Sequence, residues 1–297
     1  MLFRGISITF EAAVRDLRAG DVRARVAAAD ALGDLPEGED RAAAATALIG
    51  ALDDERFEVR RSAALALGEL GGDAAIRRLI ATLEDRHPEV RQAAAIALGR
   101  IGDERAFEPL ATALREGLAD LRYQAAVSLV EIDAQRAYEP LLAAIGDADA
   151  EVRASVASAL GAIGDKRAAD AIAPLLVDQA EDTRFEAALA LARLGDARAV
   201  APLTAALDGP AERVYAALEG LESAGDKAAA PALAKLMRKL LALRAIRVRA
   251  AGVFLAFAPD GPDAAYARAL LAKAAKSRRA DVRGLAEEAL ARLEGHT

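Results

Sequence analysis

The chain has 297 residues, no cysteine, no tryptophan and a formal net charge of −7. Without cysteine it forms no disulfide, no thiolate metal site and no cysteine nucleophile, and a reducing, cytoplasmic location is expected. Its residues are 54% hydrophobic but only 4% aromatic, which predicts closely packed, alanine-rich helices rather than a bulky globular core.

Residues 1–20 read as an N-terminal cap. The run from Met1 to Phe10 carries one basic residue and an interrupted apolar stretch with no small-residue cleavage site after it. Ser7 or Thr9 is placed to cap the first helix. No stretch of the chain reaches the roughly 20 apolar residues of a membrane-spanning helix. Residues 21–226 hold regular repeats. The first copy carries a turn-rich insertion at Leu35–Asp40, and then Arg60, Arg91, Arg122, Arg153 and Arg184 recur at intervals of 31 residues. A unit of that size cannot bury its own apolar face, so copies must stack into one elongated body over residues 1–297.

Each copy divides into a longer and a shorter helix. In the copy around Arg91, Val90, Ala94, Ala97, Leu98 and Ile101 form one stripe at helical period. Gly102 is placed to end that helix, and Asp103 to cap a second one from about Arg105 to Leu114. Pro109, Pro140, Pro202 and Pro231 fall in first turns of the shorter helices, where a missing N–H costs least. Glu58, Glu89, Asp120, Glu151 and Asp182 precede the arginines and favour the positive ends of the longer helices. The seventh copy has Val214 at the arginine position, and the eighth is expected near Arg249, after a basic segment Lys235–Arg249. Residues 227–297 are divergent and basic, with 14 Lys and Arg against 6 Asp and Glu. A last helix pair comes after Pro259–Pro262 and ends in Gly295-His296-Thr297.

The phrase acid-Val-Arg-x-x-Ala-Ala-x-Ala-Leu-Gly-x-Ile-Gly-Asp, then Ala-x-x-Pro-Leu, resembles the short bacterial HEAT repeat of the phycobilisome-lyase type. The resemblance covers about Asp21 to Leu293 and implies an all-α fold, a right-handed α-solenoid of about eight or nine helix pairs. It also implies that the repeated arginines bond to acids and turn carbonyls of adjoining repeats, with Asp85, Asp147, Asp178 and Asp208 as suitable partners. Relatives with iron-hydroxylase activity carry repeated His-Glu pairs, and here neither His87 nor His296 is followed by glutamate. Glycosylase relatives place aromatic residues beside an acid in a basic cleft, whereas the middle of this chain is acidic and lacks tryptophan. No catalytic, cofactor-binding or metal-ligating residue is assigned.

Binding positions on a solenoid are those that vary between copies. One such column reads Asp30, Leu65, Ile96, Val127, Ser158, Leu189, Glu219, Phe254 and Glu288. Its neighbour reads Arg61, Gln92, Tyr123, Ala154, Phe185 and Tyr215. The resemblance implies that this side of the longer helices lines the concave surface. Read so, Arg61, Leu65, Gln92, Ile96, Tyr123, Val127, Phe185, Leu189 and Tyr215 are candidate partner-binding residues. They would border an apolar groove on the order of 40 Å long, with Gly68, Gly99, Gly161 and Ala192 as its floor. Superhelical twist leaves a second reading open, in which the Ile96 column is packing between repeats. The function expected is a non-catalytic scaffold or adaptor for an apolar or amphipathic protein segment, with no membrane partner. The alternative is a bilin-lyase-type subunit acting on a chromophore or modified protein. Nucleic acid on the basic C-terminal end ranks third, because overall acidity opposes non-specific binding.

Overall fold

The computed structural model describes residues 9–36, 38, 40–239 and 242–294, and among them every regular element is helical. The helices are α1 (Phe10–Ala19), α2 (Val22–Gly33), α3 (Asp40–Ala51), α4 (Phe57–Leu70), α5 (Asp73–Thr82) and α6 (Pro88–Ile101). They continue as α7 (Phe107–Glu116), α8 (Ala119–Ala144), α9 (Ala150–Ile163), α10 (Ala169–Ile172), α11 (Glu181–Arg193) and α12 (Val200–Ala206). The last five are α13 (Ala211–Ala224), α14 (Ala230–Arg238), α15 (Arg244–Phe257), α16 (Ala264–Ala274) and α17 (Ala280–Glu294).

The chain divides into two compact units, Met1–Ala159 and Leu160–Thr297. In the first, α2, α4, α6 and α8 stack in succession, and α3, α5 and α7 pack against them. In the second, α11, α13, α15 and α17 form the succession, with α12, α14 and α16 beside them. This is α-solenoid architecture, in which each layer buries only its neighbours' faces.

Fully buried leucines recur at matching positions of successive helices. Leu67, Leu98 and Leu129 of the longer helices, and Leu48, Leu79, Leu110 and Leu141 of the shorter ones, are fully buried in the first unit. Leu160, Leu191, Ile172 and Leu203 repeat the pattern in the second. Each is worth about 1.5–3 kcal/mol relative to exposure. Alanines fill the space between them and let the helices approach closely.

Local signals stop and start the helices. Gly102 adopts a left-handed conformation (φ 68°), and its N–H bonds to the Leu98 carbonyl. Asp103 does cap the next segment, but its Oδ1 accepts from the Arg105 N–H at 2.9 Å and so starts a 3-10 turn, Glu104–Ala106. The α-helix proper begins two residues later than the expected Arg105, at Phe107. Asp165, Asp196 and Asp226 cap equivalent 3-10 turns. A side-chain hydrogen bond from Arg105 is the main reason the Asp103 carboxyl is held down at about 2.

The copy ending at Ile132-Asp133 has no glycine stop. There the longer and shorter helices run on as α8, joined at Asp133, whose φ of −156° and ψ of 98° break the helical path. Pro140, expected in a first turn, consequently lies inside α8. At the N-terminus Thr9 caps α1 by accepting from the Ala12 N–H at 3.3 Å, while Ser7 lies outside the described residues. Gly295, His296 and part of the Leu35–Asp40 insertion lie outside them too.

Gly284 stands exposed inside α17, and a Cβ there would meet nothing within 4 Å. Gly284→Ala should therefore stabilise the last helix by about 0.5–1 kcal/mol, since glycine loses more backbone entropy in a helix. Urea unfolding followed by circular dichroism checks this, and a destabilised variant would mean that the position is constrained by something else.

Candidate interaction surface

The repeated arginines point inward to the turns. Arg60 donates from Nε and Nη2 to both carboxylate oxygens of Asp85, at 2.8 and 2.9 Å, and from Nη1 to the Asp54 carbonyl. Arg122 repeats this with Asp147 and the Gly117 carbonyl. Arg153 and Arg184 donate to the carbonyls of Asp147 and Asp178. The Asp85 carboxylate also accepts from the His87 N–H, so one side chain shapes the turn and clamps the preceding repeat. Burial pushes the Asp85 carboxyl up, but the bonds from Arg60 and the His87 N–H outweigh it and hold the group below its ordinary value.

Four details differ from expectation. Asp208 serves no ladder arginine; Lys239 reaches it at 3.0 Å and Lys235 at 3.5 Å. Arg91 reaches Asp120 rather than the acid 25 residues on, Glu116, which pairs with Arg115. Arg25 is a further rung, bonded to Asp54 and to the Gly20 carbonyl. The Leu35–Asp40 insertion throws it off the 31-residue count, which hides it in the sequence. In the eighth copy the rung is Arg247, which donates to the Met237 carbonyl at 2.7 Å, while Arg249 turns to Glu222. The expected register there is two residues off. Phe254 belongs to the core at 2% exposure, and Gly252 takes its place in the Ile96 column.

In the first unit, Leu65 (α4), Ile96 (α6) and Val127 (α8) sit on three successively packed helices. Val127 is 37% exposed and neighbouring Tyr123 40%, whereas Leu65, Ile96 and Gln92 are half-buried. Arg61 is exposed and pairs with Glu89 at 3.5 Å. In the second unit Tyr215 is exposed, and Phe185 is half-buried beneath the Arg213 guanidinium, 5.3 Å from its ring centre. A cleft of about 340 Å³ opens beside Phe185 and Pro202. Leu189 is buried, close over Gly220.

The glycine column is not an open floor. Gly68 and Gly161 are buried where the next longer helix crosses, against the backbone of Ala97 and Ala190. Angles along one helix put this column with the exposed one, but the helices are rotated so that the glycines face their neighbours. A cavity of about 500 Å³ that no sequence signal singles out lies against α15 and α17 at Gly252.

A family model described as HEAT repeats matches residues 10–85, 45–130, 113–180 and 138–222. No curated protein matches the chain. Among solved structures, Escherichia coli YibA is similar at 19% identity and a TM-score of 0.58, over 83% of this chain and 91% of that one. Kap95, the yeast importin-beta, in its complex with Nup1 is 17% identical with a TM-score of 0.70, over 94% of this chain and 44% of that one. The CpcE–CpcF complex of phycocyanin lyase from a Nostoc species is 28% identical with a TM-score of 0.43, over 91% and 96%. Among the described residues no helix is long and apolar enough to cross a membrane, and no group of three His, Asp or Glu could hold a metal ion.

Proposed function

Starting from the fact that this chain belongs to the HEAT-repeat family, we propose that it is a non-catalytic cytoplasmic scaffold that holds a partner protein on the exposed side of its longer helices. The observation that carries this reading is the patch in the first unit. Tyr123 and Val127 stand 40% and 37% exposed on α8, next to the half-buried Ile96 and Gln92 of α6 and Leu65 of α4. Apolar side chains left open on successive helices suit an amphipathic helix or extended segment lying across them. Burying each would contribute on the order of 1.5–3 kcal/mol before the cost of ordering the partner. Arg61 and Glu89 at the edge would fix the partner's orientation more than its affinity. Phe185 and Tyr215 form the candidate contact in the second unit. Leu189 supports its neighbours there, because its side chain is already buried.

The test is comparative capture from native extract. Val127→Glu with Tyr123→Ala changes two exposed side chains and should leave helicity and urea midpoint unchanged. A protein retained by the wild type should be lost from this variant. Equal capture by both would remove the patch from consideration.

A further inference from the structure

The last repeats contain a built cavity that the scaffold reading does not use. In α15 the ladder arginine is Arg247, which puts Gly252 where α4, α6 and α8 carry Leu65, Ile96 and Val127. There α17 approaches closely, and beside the contact lies a cavity of about 500 Å³, walled by Leu255, Ala256, Leu285, Ala289 and Leu293. A Cβ on Gly252 would meet the Ala289 Cβ at 3.0 Å and no other atom within 4 Å. The volume falls within the range of about 300–1,000 Å³ common for small-molecule sites, and such sites pair apolar walls with a few polar groups.

Those polar groups are Glu222, Arg249 and Arg292, which also line the cavity. Glu222 of α13 receives Arg249 on Oε2 and Arg292 on Oε1, and Arg292 also bonds to Glu288 of its own helix at 2.6 Å. Two guanidinium groups thus converge on one carboxylate at the edge of an apolar space. Both keep access to solvent, at 23% and 49% side-chain exposure, so both can turn to an entering group. The cluster itself balances Arg249 and Arg292 against Glu222 and Glu288. The positive sign comes from the surrounding segment, since residues 227–297 hold 14 Lys and Arg against 6 Asp and Glu.

We propose that this cavity binds a small amphipathic carboxylate, an acyl chain of medium length with an anionic head. The chain would lie over Gly252 between α15 and α17, and the head would take Arg249 and Arg292 in place of Glu222. Arginine suits that role because its planar fork matches a carboxylate. A cationic head would meet two guanidinium groups, and a neutral one would leave the Glu222 cluster intact and unrewarded.

The experiment is calorimetric titration of the whole chain with decanoate, decanol and decyltrimethylammonium. Decanoate should bind, with decanol about tenfold weaker or worse, the difference a charge-assisted hydrogen bond supplies. Gly252→Leu should abolish binding by filling the space. Ala256→Leu, at an exposed wall position that leaves the Gly252–Ala289 contact alone, should weaken it about tenfold by the same volume argument and guards against a folding defect in the first variant. Glu222→Gln should tighten it by removing the competing carboxylate. Absence of decanoate binding, equal affinity for decanol or for the cationic amphiphile, or affinity unchanged by Ala256→Leu would overturn the proposal. The Val127→Glu/Tyr123→Ala variant should bind decanoate as the wild type does, so this site and the partner surface fail or succeed separately.

Discussion

Arg60→Ala is expected to destabilise the first unit by about 3–5 kcal/mol, the usual loss when one member of a buried ion pair is removed. The Arg60 and Asp85 side chains are 5% and 12% exposed, and their two hydrogen bonds run side by side. Removing the guanidinium leaves the Asp85 carboxylate between repeats with only the His87 N–H, and frees the Asp54 carbonyl from its donor. Arg60→Lys should recover little, because an ammonium cannot reproduce the fork. Arg91→Ala should cost less than Arg60→Ala, since Asp120 is 23% exposed and can return to water. Arg78→Ala is the control. Its pair with Asp53 is 38% and 75% exposed, and such surface pairs contribute about 0–1 kcal/mol.

Acid titration gives the same prediction an independent reading. Asp85 is held below its ordinary value in the folded chain, against burial, chiefly by Arg60. A carboxylate depressed on folding contributes stability above its unfolded value of about 3.9, and that stability drains away as pH falls through the folded value. The advantage of the wild type over Arg60→Ala should therefore be constant near neutrality and shrink in acid as Asp85 is protonated, first in the variant, where Arg60 no longer opposes burial, and then in the wild type. Urea midpoints measured across that range decide it. A gap that persists undiminished in acid would mean that Arg60 stabilises mainly through the carbonyl and its packing.

The helix pairs, their order and most of their ends were legible because the 31-residue recurrence places a leucine, a glycine and an aspartate at fixed offsets. Gly102 and Leu98 do what their positions predict, and so does Thr9. The arginine ladder is legible in its bonding and in its five evenly spaced members, Arg60, Arg91, Arg122, Arg153 and Arg184, but not at its ends. Arg25 is displaced by an insertion, and α15 offers Arg244, Arg247 and Arg249 within six residues. Aligning on the helix end resolves that choice: the Ala258 N–H bonds to Phe254 as the Gly102 N–H bonds to Leu98. What stayed hidden was rotation. A sequence gives the angle between two side chains on one helix, but the angle of the helix toward its neighbour is set by packing. That is why periodicity alone groups Gly99 with Ile96, although one faces a helix and the other partly faces solvent.

The rotation makes the second strong prediction. Gly68→Val should destabilise the first unit by about 3 kcal/mol, at the upper end of ordinary overpacking. A Cβ on Gly68 would sit 2.9 Å from both Cα and Cβ of Ala97, so the obstacle is backbone of the crossing helix and cannot swing aside. Gly161 meets Ala190 in the same way, at 2.7 and 2.8 Å, and Gly161→Val should behave alike in the second unit. Gly68→Ala is the sharper comparison. Alanine is favoured in a helix interior by about 1 kcal/mol, so a net loss means that the clash exceeds that gain. Gly99→Ala would first meet the flexible end of Glu131 but also the Ser128 Cβ at 2.9 Å, which is fixed to the crossing helix, so it too should cost stability. If Gly68→Ala stabilised the protein instead, the glycines would be open after all and the groove would regain its floor. The expected loss, beside an unchanged midpoint for Val127→Glu, separates two columns of one helix into a face that joins repeats and a face left for a partner.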